Sequence, residues 1–412
     1  MFAYYPLYID PGTGSMLFSV VVGVAATLIF AFRALFIKLK VRLSGGKADT
    51  ANSTRIPFLI FSDHKRYWNI FKPICDEFEK RGVDLVYWTA SSDDPALSEK
   101  YEHVKAEFIG ERNRPYMKLN FASADICVAT TPGLDVLQWK RSKMIKHYVH
   151  VPHTVDDLSG YRMFGLDYYD SVLTTGQNQV DLIRKIESLR PAILKKELVC
   201  VGSPNLDAMS ARLKNENANP SSEKTGDKKV VLVAPSWGKS GILSRYGEKF
   251  LSELVKTGFE IIVRPHPQTV VSEQDVLKPL QEKFPQIEWN FDNDNFSVLK
   301  KSDILITDFS GIIFDYSLVF DKPLIYADTD FDTLPYDADW LDEPMWSFRV
   351  LPKIGIQLKQ EDFCNLNQII NQAIESQNMR AERDAVRSEC WQHRDESAKL
   401  IVDYLIDKQK RG

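Results

Sequence analysis

The 412-residue chain has no close pair of cysteines. Its five, Cys75, Cys127, Cys200, Cys364 and Cys390, lie far apart and form no C-x-x-C. That excludes a disulfide framework and the usual zinc spacings, and fits a reducing compartment. A basic excess is also missing: 52 Lys and Arg stand against 56 Asp and Glu, a net charge of −4. A nucleic-acid binder presents a basic face, so no nucleic-acid partner is expected. There is no internal repeat of short period, and the ordinary apolar and charged fractions, 44% and 26%, argue against long disorder.

What the sequence does hold near its start is one long apolar run. Met16 to Phe32 carries no charge, and Ala34 to Ile37 extends it past Arg33. At about 1.5 Å per residue, a helix over 16–37 would measure roughly 33 Å, near the hydrocarbon thickness of a bilayer. A secretory signal would need a basic leading region, whereas the residues before this run include Asp10 and no Lys or Arg. Arg33, Lys38, Lys40, Arg42 and Lys47 crowd the far flank, and positive charge stays cytoplasmic. The expectation is a single-pass anchor in the inner, cytoplasmic membrane over residues 1–44, with the N-terminus outside and the catalytic part inside.

Beyond the polar stretch 45–54, short apolar runs alternate with helical spacing. Ile56 to Phe61 reads as a strand, Trp68 to Lys80 as a helix and Val83 to Trp88 as a strand. Asp125 to Ala129, Lys146 to Val151, Ser171 to Leu173 and Leu198 to Val201 continue the set. Asn215 to Lys229, rich in Asn, Ser, Lys and Glu, reads as a linker. The alternation then restarts with strands at Val230 to Ala234, Glu260 to Val263, Ile304 to Thr307 and Pro323 to Tyr326. Such alternation predicts α/β architecture with parallel sheets covered on both faces. The expected fold is two Rossmann-like domains, 55–212 and 229–350, facing a cleft, preceded by one transmembrane helix. A helical segment, 351–412, packs on them.

Three loops directly follow predicted strands of the second half, where open α/β sheets place their ligands. They are Ala234-Pro235-Ser236-Trp237, Arg264-Pro265-His266-Pro267 and Thr307-Asp308-Phe309-Ser310-Gly311. Small residues opening a helix leave backbone N–H groups for phosphate. Ser310 adds a hydroxyl, Gly311 permits close approach, and Arg264 and His266 add donors suited to charge on a leaving phosphate. Each piece also has a structural reading. Ser-Gly is a common helix cap, a loop histidine is often solvated, and Asp292-Asn293-Asp294 reads as a polar turn rather than a metal site. The coincidence of three such loops on one sheet edge favours a phosphate ligand.

From Arg264-Pro265-His266-Pro267 through Ser302 to Gly311, Phe314-Asp315-Tyr316 and Asp321-Lys322-Pro323, the chain resembles the CDP-glycerol:poly(glycerophosphate) glycerophosphotransferases. The Ala234 to Trp237 segment resembles that family's Ala-Pro-Thr-Trp. The resemblance implies a GT-B fold, an acceptor domain at 55–212 and a donor domain at 229–350. It also implies that His266, Ser310 and nearby backbone hold the diphosphate of a CDP-alditol. Ser236, Arg264, Thr307, Asp308 and Gly311 join them as donor-site residues. In place of the family's Trp-His-Gly-Thr-Pro box, whose histidine is a general base, stands Val151-Pro152-His153-Thr154-Val155. His153 and Thr154 keep its order.

The implied reaction is transfer of an alditol phosphate, glycerol phosphate first, from a CDP-activated donor to a hydroxyl of a lipid-linked glycan or polymer, releasing CMP. His153 would take the hydroxyl proton, as an imidazole of ordinary pKa, near ~6.5, can at neutral pH. Asp156 or Asp157 would orient it. No metal or cofactor is required, the CDP-alditol being a substrate. Two other functions fit the same residues: a GT-B glycosyltransferase using a sugar nucleotide, and a non-catalytic anchored protein on a degenerate transferase fold.

Overall fold

The computed structural model describes residues 55–218, 228–292, 294–328, 331–376 and 379–411. Contacts divide the chain into Met1–Arg55 and Ile56–Gly412, and both sheets belong to the latter.

Each apolar run of the first half becomes a strand. They are β1 (Ile56–Ser62), β2 (Leu85–Thr89), β4 (Ala124–Ala129), β5 (Ile145–His150), β6 (Ser171–Thr174) and β7 (Glu197–Cys200), and β3 (Val104–Phe108), which was not among those runs, joins them. All pair in parallel, in the order β3-β2-β1-β4-β5-β6-β7. The helix Trp68–Lys80 turns Phe71, Ile74, Cys75 and Phe78 inward, the spacing that puts one apolar face on a sheet. These side chains are fully buried against Ile60, Tyr87 and Val128.

The second sheet holds β8 (Val230–Val233), β9 (Glu260–Val263), β10 (Glu288–Trp289), β11 (Ile304–Thr307), β12 (Leu324–Ala327) and β13 (Gly355–Leu358). It runs β10-β9-β8-β11-β12-β13, again parallel. In each sheet the chain winds to one side and then crosses to the other, between β1 and β4 and between β8 and β11. Crevices open at the carboxyl ends of strands at such crossings.

The last helix, Ser397–Arg411, returns to the first sheet, where Ile401, Val402 and Leu405 enter the core beside the helix Trp68–Lys80. Its approach is fitted closely. Gly202 has φ +87°, and a Cβ there would stand 2.3 Å from the Gln392 carbonyl oxygen, so only glycine suits the site. Asp207 then accepts from Trp391 Nε1 at 2.8 Å and from Ser397 N at 3.1 Å.

Two expectations need correction. Among the described residues no helix is long and apolar enough to cross a membrane. The longest, such as Pro204–Ala218 and Ile242–Lys256, have 15 residues and carry charges; at about 1.5 Å per residue they rise only ~22 Å. The predicted span 16–37 lies outside the described residues. Among the described residues the fold class is therefore GT-B-like α/β with no membrane-crossing helix, and a single-pass membrane location is not supported. The segment read as a linker from Asn215 also begins inside a helix, Pro204–Ala218, and its residues 219–227 lie outside the described set.

Candidate active site

The carboxyl-edge loops of both sheets line one cleft of about 440 Å³. From the first sheet come Arg66 and Tyr67, just after β1, and the run His153 to Asp157, just after β5. From the second come Ala234 and Pro235 after β8, Arg264 to Pro267 after β9, and Ser310 with Gly311 after β11. The two walls approach closely: a Cβ on Gly311 would stand 3.6 Å from Thr154 Oγ1.

His153 keeps a part-exposed face on this cleft. Its Nδ1 lies 3.3 Å from Tyr161 Oη, and the two rings stack with centroids 5.5 Å apart. Tyr67 packs on it at 5.1 Å. Dense surroundings and then the Arg66 charge push this imidazole down to about 4, against a pull upward from the Thr130 backbone. It is neutral at pH 7 and holds a lone pair. The neighbouring histidines are placed differently. His150 is fully buried, its Nε2 3.1 Å from the same Tyr161 Oη. His147 has its Nε2 2.7 Å from Ser171 Oγ, away from the cleft. Neither aspartate orients His153. Asp157 accepts from Ser159 Oγ at 2.7 Å and from the Trp346 N–H at 2.5 Å, while Asp156 accepts the Asp157 N–H at 2.7 Å.

His266 caps the helix Pro267–Ser272, its Nδ1 accepting the Gln268 N–H at 3.1 Å. With that lone pair engaged, the neutral ring carries its proton on Nε2. Burial, then Arg66, pushes this imidazole also down to about 4. Ser310 and Gly311 sit beside it on the cleft. Arg264 lines the wall too, but its guanidinium is engaged, Nη1 on Asn290 Oδ1 and Nη2 2.7 Å from the Asp292 carbonyl.

Ser236, Thr307 and Asp308 do not line the cleft; they hold its loops. Asp308 is buried and accepts from Ser236 N at 2.8 Å, Phe309 N at 2.7 Å and Ile242 N at 3.0 Å. Burial still raises its carboxyl, against these donors. Thr307 Oγ1 donates to the Ala234 carbonyl at 2.7 Å. Asp294 caps Phe296 N at 3.1 Å and pairs with Arg212 at 2.5 Å; Asn293 lies outside the described residues.

Among the residues of the wall to which the sequence reading gave no role are Arg66, Tyr161, Asn295 and Asp315. Asp315 opens a π-helical turn, Asp315–Val319, a kind of local irregularity found often at functional sites. Burial raises its carboxyl to about 7, against the Asn295 amide that donates to it at 3.2 Å. Arg66 was findable, because it follows β1 as the other loops follow their strands. Tyr161 carried no such signal.

Gly311 offers a clean probe. Its φ is −57° and a Cβ would meet only ordinary contact. Gly311→Ala is therefore expected to leave the thermal unfolding midpoint unchanged. If phosphate approaches this backbone, donor binding by calorimetry weakens about tenfold, the order of a forced-apart contact. Unchanged affinity would remove Gly311 from the donor site.

Two parallel sheets sharing a cleft at their carboxyl edges define a GT-B-like α/β protein. Solved structures share this fold. The wall teichoic acid polymerase TagF matches with a TM-score of 0.58 and 16% identity, over 95% of this chain and 98% of that one. UDP-GlcNAc 2-epimerase from Neisseria meningitidis matches with a TM-score of 0.53 and 14% identity, over 85% of this chain and all of that one. A sequence model of the CDP-glycerol:poly(glycerophosphate) glycerophosphotransferases matches residues 191–406, a little over half of the chain. The chain belongs to that family, as its motifs implied.

Two curated relatives from Bacillus spizizenii agree. A teichoic acid poly(glycerol phosphate) polymerase is 28% identical over 34% of this chain and 36% of its own length. A teichoic acid glycerol-phosphate primase is 24% identical over 40% of this chain and 41% of its own. The chain thus spans well under half of either relative. The family and these relatives are enzymes that transfer glycerol phosphate, with CDP-glycerol as the family's donor.

Proposed function

We propose that the chain transfers glycerol phosphate from CDP-glycerol to a hydroxyl of a lipid-linked glycan or polymer and releases CMP. One observation carries this reading: His153 from the first sheet and His266, Ser310 and Gly311 from the second line the same cleft. In this mechanism the acceptor oxygen attacks the donor's β-phosphorus and its proton passes to His153. The bond from that phosphorus to the bridging oxygen breaks, and CMP leaves with the electron pair. His266 donates through Nε2–H to the oxygens where charge develops, with Ser310 and the backbone at Gly311 beside it. Residues 55–212 would then serve the acceptor and 229–350 the donor.

Membership of the CDP-glycerol:poly(glycerophosphate) glycerophosphotransferase family supports the choice of donor over a sugar nucleotide. The test is a screen of CDP-glycerol, CDP-ribitol and common sugar nucleotides, scoring the nucleotide released. CMP from CDP-glycerol is expected. A nucleoside diphosphate from a sugar nucleotide would make the chain a glycosyltransferase instead, and binding without turnover would make it non-catalytic.

His266→Ala separates binding from chemistry. Removing one donor to developing charge typically costs about 10²–10³ in turnover, and donor affinity should fall much less. Steady-state rates beside calorimetry check it. Equal losses in both would give His266 a plain binding role.

A further inference from the structure

Among the described residues, two guanidinium groups line the cleft. The one expected to meet phosphate, Arg264, already holds Asn290 and the Asp292 carbonyl. The other, Arg66, has no carboxylate partner among the described residues, and its residue is exposed. It sits in the 3-10 turn Lys65–Tyr67, immediately after β1 at the first sheet's crossing point. The turn is fixed, since His64 Nδ1 accepts the Arg66 N–H at 3.1 Å. The side chain is directed as well: its guanidinium carbon lies 4.8 Å from the centre of the Tyr67 ring, the ring that packs on His153. Its neighbour Lys65 turns away to pair with Asp93.

We propose that Arg66 is a phosphate ligand which the first sheet brings to the cleft, facing the loops that carry His266 and Ser310. The inference rests on the reading that the cleft takes phosphate-bearing substrates, and extends it to a wall where no phosphate ligand has been assigned. A planar guanidinium fork suits bidentate contact with phosphate oxygens. Arg66 also helps to depress both His153 and His266, after burial, which places its charge within reach of both rings. An anion bound to Arg66 would offset that charge and leave both imidazoles more basic in the complex than in the free protein. Two substrates could supply the phosphate: the diphosphate of CDP-glycerol, and the phosphodiester next to the terminal hydroxyl of a poly(glycerol phosphate) acceptor.

The test compares wild type with Arg66→Gln and Arg66→Lys in the whole chain. Calorimetry measures pyrophosphate and CDP-glycerol binding, and initial rates measure KM for a soluble oligo(glycerol phosphate). Losing a hydrogen bond to a charged group weakens binding about tenfold or more. If the donor supplies the phosphate, Arg66→Gln loses that factor in both Kd values and Arg66→Lys recovers part of it. If the acceptor supplies it, donor affinity holds and acceptor KM rises by the same factor. In either case NMR titration of the ligand-free proteins should show the His153 and His266 midpoints rising in Arg66→Gln, a sign of proximity that needs no turnover. Unchanged Kd and KM values in a folded Arg66→Gln protein overturn the proposal, as does a wild type that binds neither probe. Pyrophosphate binding that depends on Arg66, without turnover of CDP-glycerol, would sink the proposed activity and leave Arg66 standing.

Discussion

His153→Ala is expected to lose about two to four powers of ten in turnover while CDP-glycerol affinity stays near wild type. An alcohol is a poor nucleophile at neutral pH until its proton has an acceptor, and His153 is the imidazole of the first sheet that reaches the cleft. Its low pKa sets the pH dependence. The base must be neutral, so rate rises with pH through its ionisation. In the free protein that limb, read from kcat/KM, should lie near the depressed value of about 4 rather than 6.5. Bound diphosphate is negative and favours the imidazolium, so the limb in kcat should lie higher. Both limbs should vanish in His153→Ala. His147→Gln should keep full turnover, because His147 is held by Ser171 outside the cleft. Full activity in His153→Ala, with both limbs intact, would show that another group takes the proton.

The same site shows how far a sequence can be read. Arg264, His266, Ser310 and Gly311 were legible because they follow apolar runs too short and too β-branched to be helices, and ligands gather at the carboxyl ends of such strands; His153 was singled out through the resemblance of its box to the family's. Thr307, Asp308 and Ser236 share those loops in sequence yet turn to the protein. A one-residue step along a strand end reverses a side chain's direction, and here it aims Thr307 at the Ala234 carbonyl. No pattern in one loop reveals which neighbours will need its polar atoms. Tyr161 lies on an irregular segment after β5, and its place beside His153 depends on contacts far along the chain.

Other elements were hidden for local reasons. β10 has two residues, Glu288 and Trp289, too few for any periodicity. β3 reads Val-Lys-Ala-Glu-Phe and sits at a sheet edge with most of its side chains outward, so its apolar signal is thin. The helix Pro204–Ala218 ends in Lys-Asn-Glu-Asn-Ala, whose polarity reads as a linker; its buried contacts are only Pro204, Leu206 and Met209. The crossing of the last helix to the first sheet was beyond any local signal. It is written in the fit of Gly202 to Gln392 and of Asp207 to Trp391 and Ser397.

Long-range ties of this kind predict a large loss of stability for Arg190→Leu. Arg190 is buried at the end of the helix Gln177–Leu189, with Asp167 at 3.0 Å and Asp337 at 3.3 Å. Asp337 belongs to the stretch after the second sheet's β12, which docks on the first half. Met163 N donates to the Pro335 carbonyl at 3.1 Å, Phe164 N to Asp337 Oδ1 at 3.1 Å, and Asp337 N to the Tyr161 carbonyl at 2.9 Å. Removing the cation leaves two buried carboxylates without their partner, which typically costs about 3–5 kcal/mol. The cost should depend on pH. Burial raises the Asp337 carboxyl to about 6 from an ordinary 3.8, against the Phe164 N–H and Arg190; burial raises Asp167 too. A carboxyl held high takes up its proton in the folded state first, so stability from it falls as pH rises from about 4 to 6. Without Arg190 that fall should steepen. Denaturant unfolding of wild type and Arg190→Leu should show a gap that is smallest at low pH, where the raised Asp337 carboxyl is protonated, and widens towards pH 8. A gap that stays constant with pH would mean the loss comes from packing around the side chain. Because Asp337 also fixes the backbone of Tyr161, and Tyr161 the ring of His153, turnover in the folded fraction should drop with the tie; unchanged turnover there would show that the site holds its own geometry.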